Sequence, residues 1–157
     1  MGCRPVVYVR RGDTAPIKNA DEVFAYEEAN PLQNFLITDD SPEGWFELSA
    51  ILSLVGQFYR FWHSYYGITR VLTSQEDLES LISKLELDEE TRDAARKLDA
   101  RVSVDIQESS VVVTFCEYSG WHGITRFSET FQRQAPHVRL GDVAKLTEVP
   151  YDCGIRF

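Results

Sequence analysis

The chain of 157 residues is long enough to bury a hydrophobic core, and we expect one domain over residues 1–157. Its 43% hydrophobic and 26% charged residues are typical of a globular protein and argue against a disordered one. The 16 Lys and Arg residues against 25 Asp and Glu give a net charge of −9. This charge repels nucleic acids and anionic membranes, so neither is an expected partner.

The cysteines and the N-terminus indicate a cytoplasmic protein. The three cysteines lack a CxxC spacing, so we predict neither a disulfide framework nor a zinc site. No apolar run reaches the ~18 residues of a membrane span, and no apolar region follows the N-terminal arginines as in a signal peptide. Met1-Gly2-Cys3 offers acceptors for lipid chains, but Val6 occupies the position where the myristoylation motif requires Ser or Thr.

The first part of the chain predicts two strands and a short helix. Val6–Val9 is a β-branched and aromatic run, which is typical of a strand. Apolar residues among acids predict a helix over Ala20–Glu28, which Asn30-Pro31 would end. Phe35–Thr38 is a second candidate strand.

The strongest predicted helix runs from Pro42 to about Tyr66. Ser41 can cap it, Pro42 suits the first helical position, and Glu43 favours the positive end of the helix dipole. Its apolar residues surround most of the helix, so it is either buried in the centre or meets a partner on one side. In the second case it supplies the seam of a homodimer. The densest aromatic positions are Phe58, Tyr59, Phe61, Trp62, Tyr65 and Tyr66.

Two shorter helices are predicted after a connecting strand at Ile68–Leu72. Ser74 and Asp77 have the spacing of a capping box, and the helix that they begin has one apolar face. That face consists of Leu78, Leu81, Ile82 and Leu85. Asp88–Ala100 predicts a second amphipathic helix. Its inner side would carry Ala94, Ala95 and Leu98.

The pattern changes to alternation from Arg101 onward. Strands are predicted around Val102–Ile106, over Val111–Tyr118 and over Ile124–Phe131, joined by links of hairpin length. Asp142–Leu146 is expected to form a short helix, and Val149–Phe157 an edge strand. The predicted fold class is α+β, with a mainly antiparallel sheet and a late three-strand meander, packed by one long central helix and two shorter helices.

The tetrapeptide GITR occurs twice, at Gly67–Arg70 and at Gly123–Arg126. No other residues keep a common period, so we interpret the repeat as shared local structure rather than duplication. In both copies the glycine would end one element and Ile-Thr-Arg would begin a strand.

Motifs for catalysis are weak. The phosphate-binding patterns GxGxxG and GxxxxGK[ST] are absent, no metal-ligand spacing occurs, and no cofactor is expected. Cys116 and His122 would lie on one hairpin, but Cys116 has the setting of a buried thiol. The alternative function that remains is a small hydrolase or transferase with a site around His122, using Glu117 and Tyr118.

An acidic stretch carries the main functional expectation. No Lys or Arg occurs between Lys18 and Arg60. The acids within it are Asp21, Glu22, Glu27, Glu28, Asp39, Asp40, Glu43 and Glu47. We expect a non-catalytic protein of the inhibitor or immunity type that docks on a basic face of a partner protein. The predicted contacts are Asp39, Asp40, Glu43 and Glu47, with Trp45 as an aromatic anchor.

Overall fold

The computed structural model describes residues 19–55, 69–152 and 154 of the chain. The helices in that part are α1 (Ala20–Ala29), α2 (Pro42–Val55), α3 (Gln75–Ile82) and α4 (Glu89–Arg96), with a 3-10 helix at Leu32–Phe35. The strands are β1 (Arg70–Leu72), β2 (Ser103–Ile106), β3 (Ser110–Ser119), β4 (Gly123–Gln132) and β5 (Ala144–Val149). The predictions for Val6–Val9, for the long helix after Val55 with its aromatic residues, and for Gly2-Cys3 lie outside the described residues.

The strands form one antiparallel sheet in the order β1-β3-β4-β5. The strand β2 pairs with the first half of β3, with Val104 opposite Val113, and β1 pairs with the second half, with Leu72 opposite Cys116. Strands β2, β3 and β4 follow one another as the predicted meander. The α+β class is therefore confirmed.

One face of the sheet packs against α2. Successive side chains of a strand point to opposite faces, so alternate residues of β3 and β4 meet the helix. The buried cluster on this side contains Trp45 and Leu48 from α2 and Val111, Val113, Phe115 and Phe131 from the sheet. Burial of these large side chains holds α2 on the sheet, because each contributes about 1.5–3 kcal/mol.

The opposite face packs against α3 and α4. Its cluster contains Leu72, Leu78, Leu81, Ile82, Ala95, Ala100, Cys116, Ile124 and Val149. The predicted apolar face of α3 is confirmed, and Leu85 packs against it. Of the predicted inner side of the last helix, Ala95 is buried and Leu98 packs against this cluster as expected, but Ala94 is exposed. The helix α4 itself ends at Arg96, before Leu98.

The predicted helix starts are confirmed by their hydrogen bonds. The Ser41 hydroxyl accepts the Gly44 N–H at 3.0 Å, and α2 begins at Pro42. The Ser74 hydroxyl accepts the Asp77 N–H at 3.1 Å. In return, the Asp77 carboxylate accepts the backbone N–H of Thr73 at 3.0 Å, one residue before the cap. Both helices therefore begin where short side chains satisfy their free N–H groups.

In the second GITR copy a strand begins as predicted, but one residue early, because Gly123 is itself the first residue of β4. Its φ is +76°, and a Cβ at this position would lie 2.0 Å from the Val149 carbonyl oxygen. Only glycine fits this position. In the first copy, Arg70 begins β1 directly after Thr69, while Gly67 and Ile68 lie outside the described residues.

Two predictions from local pattern were wrong. Asp142–Leu146 is not a helix, because the open edge of β4 pairs with Ala144–Val149, which forms the edge strand β5. The edge strand predicted over Val149–Phe157 shares Val149 with β5, residues 150–152 are not in a strand, and residues 153 and 155–157 lie outside the described residues. Phe35–Thr38 is not a ladder strand. Phe35 closes the 3-10 helix, and the extended residues after it pair with no strand in the described part of the chain.

Trp45 is the side chain whose removal should cost the fold most. We expect Trp45→Ala to lower the free energy of unfolding by about 3–5 kcal/mol, because the side chain is fully buried and its loss leaves a cavity. Urea unfolding followed by circular dichroism measures the change. The control is Ile37→Ala, whose side chain is 83% exposed and whose effect should stay within about 0.5 kcal/mol. Equal losses for both variants would contradict this packing.

Candidate functional site

Three of the predicted partner contacts line one groove beside the start of α2. These are Asp39, Glu43 and Glu47, and the groove has a volume of about 330 Å³. The other lining residues are Leu36, Ile37, Ser41, Gly44, Leu48 and Ile51. The groove thus lies between the exposed side of α2 and the extended segment that precedes it, and we call it the acidic groove.

The exposed side of α2 carries two free carboxylates. Glu43, Glu47 and Ile51 follow at intervals of four residues, which places them in one row on the helix. Glu43 and Glu47 are exposed and make no ion pair or hydrogen bond with the described part of the chain. Two carboxylates about 6 Å apart along the helix axis are therefore open to a cation.

The acidic groove also has an apolar part. Ile37 is 83% exposed and Ile51 is 43% exposed. Exposed isoleucines beside carboxylates give the surface both charge and apolar area, which is the composition of many protein-binding sites.

Asp39 shapes the groove as well as lining it. Its Oδ1 accepts the Ser41 N–H at 3.0 Å and the Ser41 hydroxyl at 2.6 Å. These two hydrogen bonds lower the pKa of Asp39. A Cβ on residue 44 would lie 2.4 Å from this Oδ1, so Gly44 leaves room for the carboxylate against the helix. Asp39 is therefore held in place by the cap of α2.

The prediction for Asp40 as a free contact was wrong. Its carboxylate forms an ion pair with Arg133, with the Nη2–Oδ2 distance at 2.5 Å, and accepts the Trp45 indole N–H at 3.0 Å. The hydrogen bonds from Arg133 and then from Trp45 lower the pKa of Asp40. Its φ of +63° turns the backbone at the start of α2. Asp40 is thus matched by a cation of the protein itself.

The prediction for Trp45 as an exposed anchor was also wrong. The side chain has no exposed surface, and its ring packs edge-on to His137 at 4.7 Å and beside Phe131 at 6.1 Å, centroid to centroid. Trp45 follows Gly44 on the helix, on the side that faces the sheet. Its role is to fix α2 and not to touch a partner.

The three residues of the alternative catalytic site are not brought together. Glu117 faces α2 and accepts the Ser53 hydroxyl, whereas Tyr118 packs on the opposite face of the sheet, with its ring 6.1 Å from that of Tyr151. His122 is exposed in the turn after β3, where its N–H donates to the Ser119 hydroxyl at 3.2 Å. Glu117 and Tyr118 are consecutive residues of β3, so their side chains point to opposite faces of the sheet. The prediction that these two residues and His122 form one site was therefore wrong.

The sequence analysis missed a pair of buried carboxylates beneath α2. Glu129 is 5% exposed and Glu117 is 6% exposed, and they accept hydrogen bonds from Ser49 and Ser53, one helical turn apart. Arg139 adds an ion pair to Glu129 at 2.8 Å. The sequence does contain a sign of this pair, because Glu117 and Glu129 each occupy a position of an alternating strand where an inward-facing apolar residue is expected. Because both carboxylates are shielded from solvent, they serve the packing of α2.

Within 19–55, 69–152 and 154, no group of three or more His, Cys, Asp or Glu side chains is arranged to hold a metal ion. Nor does any helix there have the length and apolar character needed to cross a membrane.

The chain was also compared with known proteins. No protein-family model matches it, and no match was found among curated proteins or solved structures. Its function is therefore inferred from the acidic groove and the charges around it.

Asp40 should make the stability depend on acid pH. A carboxyl whose pKa is lowered by folding stabilises the native state above its unfolded-state pKa and loses this effect as the pH falls through its folded-state pKa. We expect Asp40→Asn to be less stable than the wild type at neutral pH. The difference should shrink as the pH falls below about 4. Urea unfolding over a pH series measures it. A constant difference at all pH values would contradict the Asp40–Arg133 ion pair.

Cys116 should be unreactive in the folded protein. It is buried, and this burial raises the pKa of its thiol. In a Cys3→Ser/Cys153→Ser variant, we expect no reaction with a disulfide reagent at about pH 8 until urea unfolds the chain. Absorbance of the released thiolate measures the reaction. Rapid labelling of the native protein would contradict the burial of Cys116.

Proposed function

We propose that this protein is a non-catalytic binding protein that docks through its acidic groove onto a basic face of a partner protein. The observation that carries the proposal is the pair of exposed carboxylates, Glu43 and Glu47, which have no cation among the described residues and lie beside exposed Ile37 and Ile51. An inhibitor or immunity-type protein that covers a cationic partner has this kind of surface.

Long-range electrostatics supports association with a cation-rich partner. The net charge is −9, and residues between Lys18 and Arg60 contribute no Lys or Arg. Such a field attracts a basic protein over about one Debye length, roughly 8–10 Å at physiological salt, and raises the association rate. Added salt should therefore slow association more than it speeds dissociation.

Short-range contact would come from the apolar part of the acidic groove. Trp45 is buried, so the anchor must be supplied by Ile37 and Ile51 on this side. Covering their exposed surface excludes water from the neighbouring carboxylates and strengthens the ion pairs that Glu43 and Glu47 form. Charge would select the partner, and apolar contact would retain it.

The alternatives have less support. A hydrolase or transferase around His122 would need Glu117 and Tyr118 on the same side of the sheet, and they lie on opposite faces. The homodimer rests on the aromatic residues after Val55, which lie outside the described residues, and it stays a prediction.

Charge reversal on α2 tests the proposed function. We expect Glu43→Lys/Glu47→Lys to lose the basic proteins that the wild type retains from a lysate of the source organism at low salt, as quantified by mass spectrometry. The matched control is Glu89→Lys/Glu90→Lys, which reverses two exposed acids in the first turn of α4 and changes the net charge equally. The control should retain these proteins, and high salt should release them. If both variants behave alike, only net charge matters and the groove has no specific role.

A further inference from the structure

The extended segment that borders the acidic groove has the sequence and backbone of a strand, but it pairs with no strand among residues 19–55, 69–152 and 154. Leu36 has φ −92° and ψ 137°, in the β region, and Ile37 and Thr38 continue it without helix or ladder. Phe, Leu, Ile and Thr are residues that favour strands. The local sequence thus favours a pairing that the described part of the chain does not supply.

Hydrogen bonding distinguishes the two sides of this segment. The Thr38 N–H faces the protein, where the Nε2 atom of His137 accepts it at 3.5 Å. In an extended chain the next residue directs its backbone groups to the opposite side. The N–H and C=O of Ile37 form no hydrogen bond with the described residues. One side is therefore attached to the protein, and the other offers a donor and an acceptor.

We infer that the acidic groove binds an extended segment of the basic partner, which pairs its backbone with Ile37 as an added strand. This inference rests on the proposed function and names the form of the partner. Strand addition uses backbone hydrogen bonds for affinity and alternate side chains for specificity. Here the specificity would come from Glu43, Glu47 and Ile51, the row of side chains on the exposed side of α2.

The spacing of that row fits alternate residues of a strand. Glu43, Glu47 and Ile51 follow at about 6 Å along the helix axis, from four residues at 1.5 Å each. Alternate residues of an extended chain are about 6.6–6.8 Å apart. The expected partner segment therefore has the pattern basic-x-basic-x-apolar. A helical segment can match the same charges at its own four-residue spacing, but its backbone groups are already paired and cannot bond to Ile37.

Three synthetic peptides of equal charge test the inference by fluorescence titration. The first repeats Lys-Thr-Lys-Thr-Val, the second is the same peptide with alternate backbone amides N-methylated, and the third is a cross-linked helix with Lys four residues apart. We expect the first peptide to bind about tenfold more tightly than the other two, which is the effect of one or two lost hydrogen bonds. Amide exchange of the Ile37 N–H should slow only with the first.

A variant of the segment supplies a second measurement. Ile37→Pro removes the N–H, and Leu36 already has the backbone that a residue before proline prefers. We expect this variant to bind the first peptide about tenfold more weakly, whereas the control Ile37→Val keeps the N–H and should stay within about threefold.

The outcomes separate this inference from the proposed function. If the helical peptide binds as tightly as the first peptide and Ile37→Pro has no effect, the extended partner is overturned while docking at the groove stands. If the wild type binds none of the peptides at low salt, the extended partner is overturned, and docking is decided by the charge-reversal variants. If Glu43→Lys/Glu47→Lys binds every peptide as well as the wild type does, both are overturned.

Discussion

The buried side chain of Trp45 fixes the first turn of α2 on the sheet, and the ion pair between Asp40 and Arg133 joins that turn to the end of β4. Asp40 also accepts the indole N–H of Trp45, and Arg133 donates to the Gln107 carbonyl oxygen at 3.0 Å. One carboxylate thus connects the start of α2, the end of β4 and the link between β2 and β3. The buried indole needs this partner, because an unpaired N–H in a core is costly. The groove beside α2 depends on the same connection.

The acidic stretch is divided into two roles by the direction of its side chains. Asp40 faces the protein and neutralises a cation, and Asp39 secures the helix cap through Ser41. Glu43 and Glu47 point to solvent from the other side of α2. Acidity alone therefore does not define a docking surface. Within the described part of the chain, Glu43 and Glu47 make no ion pair, so they could bind a cation without first breaking an internal bond.

The buried polar residues under α2 limit how that helix can move. Ser49 donates to Glu129, and Ser53 donates to Glu117. Rotating or sliding α2 would break the hydrogen bonds that Ser49 and Ser53 donate to buried carboxylates, which costs more than losing an exposed hydrogen bond. The sheet thus holds the helix in one register by polar contacts within an apolar face. The row of Glu43 and Glu47 is presented at a constant position as a result.

The sequence by itself determined the features that depend only on residues close together in the chain. Capping at Ser41 and Ser74, the apolar face of α3 and the alternation of the meander follow from spacings of one to four residues, and these predictions are confirmed. Only the tertiary structure decided which side of α2 is buried, which acid meets Arg133 and which extended segment pairs. Asp40 and Arg133 are 93 positions apart. A local pattern of residues is enough to predict a helix or a strand. Contact between residues far apart in the chain depends on how these helices and strands pack together.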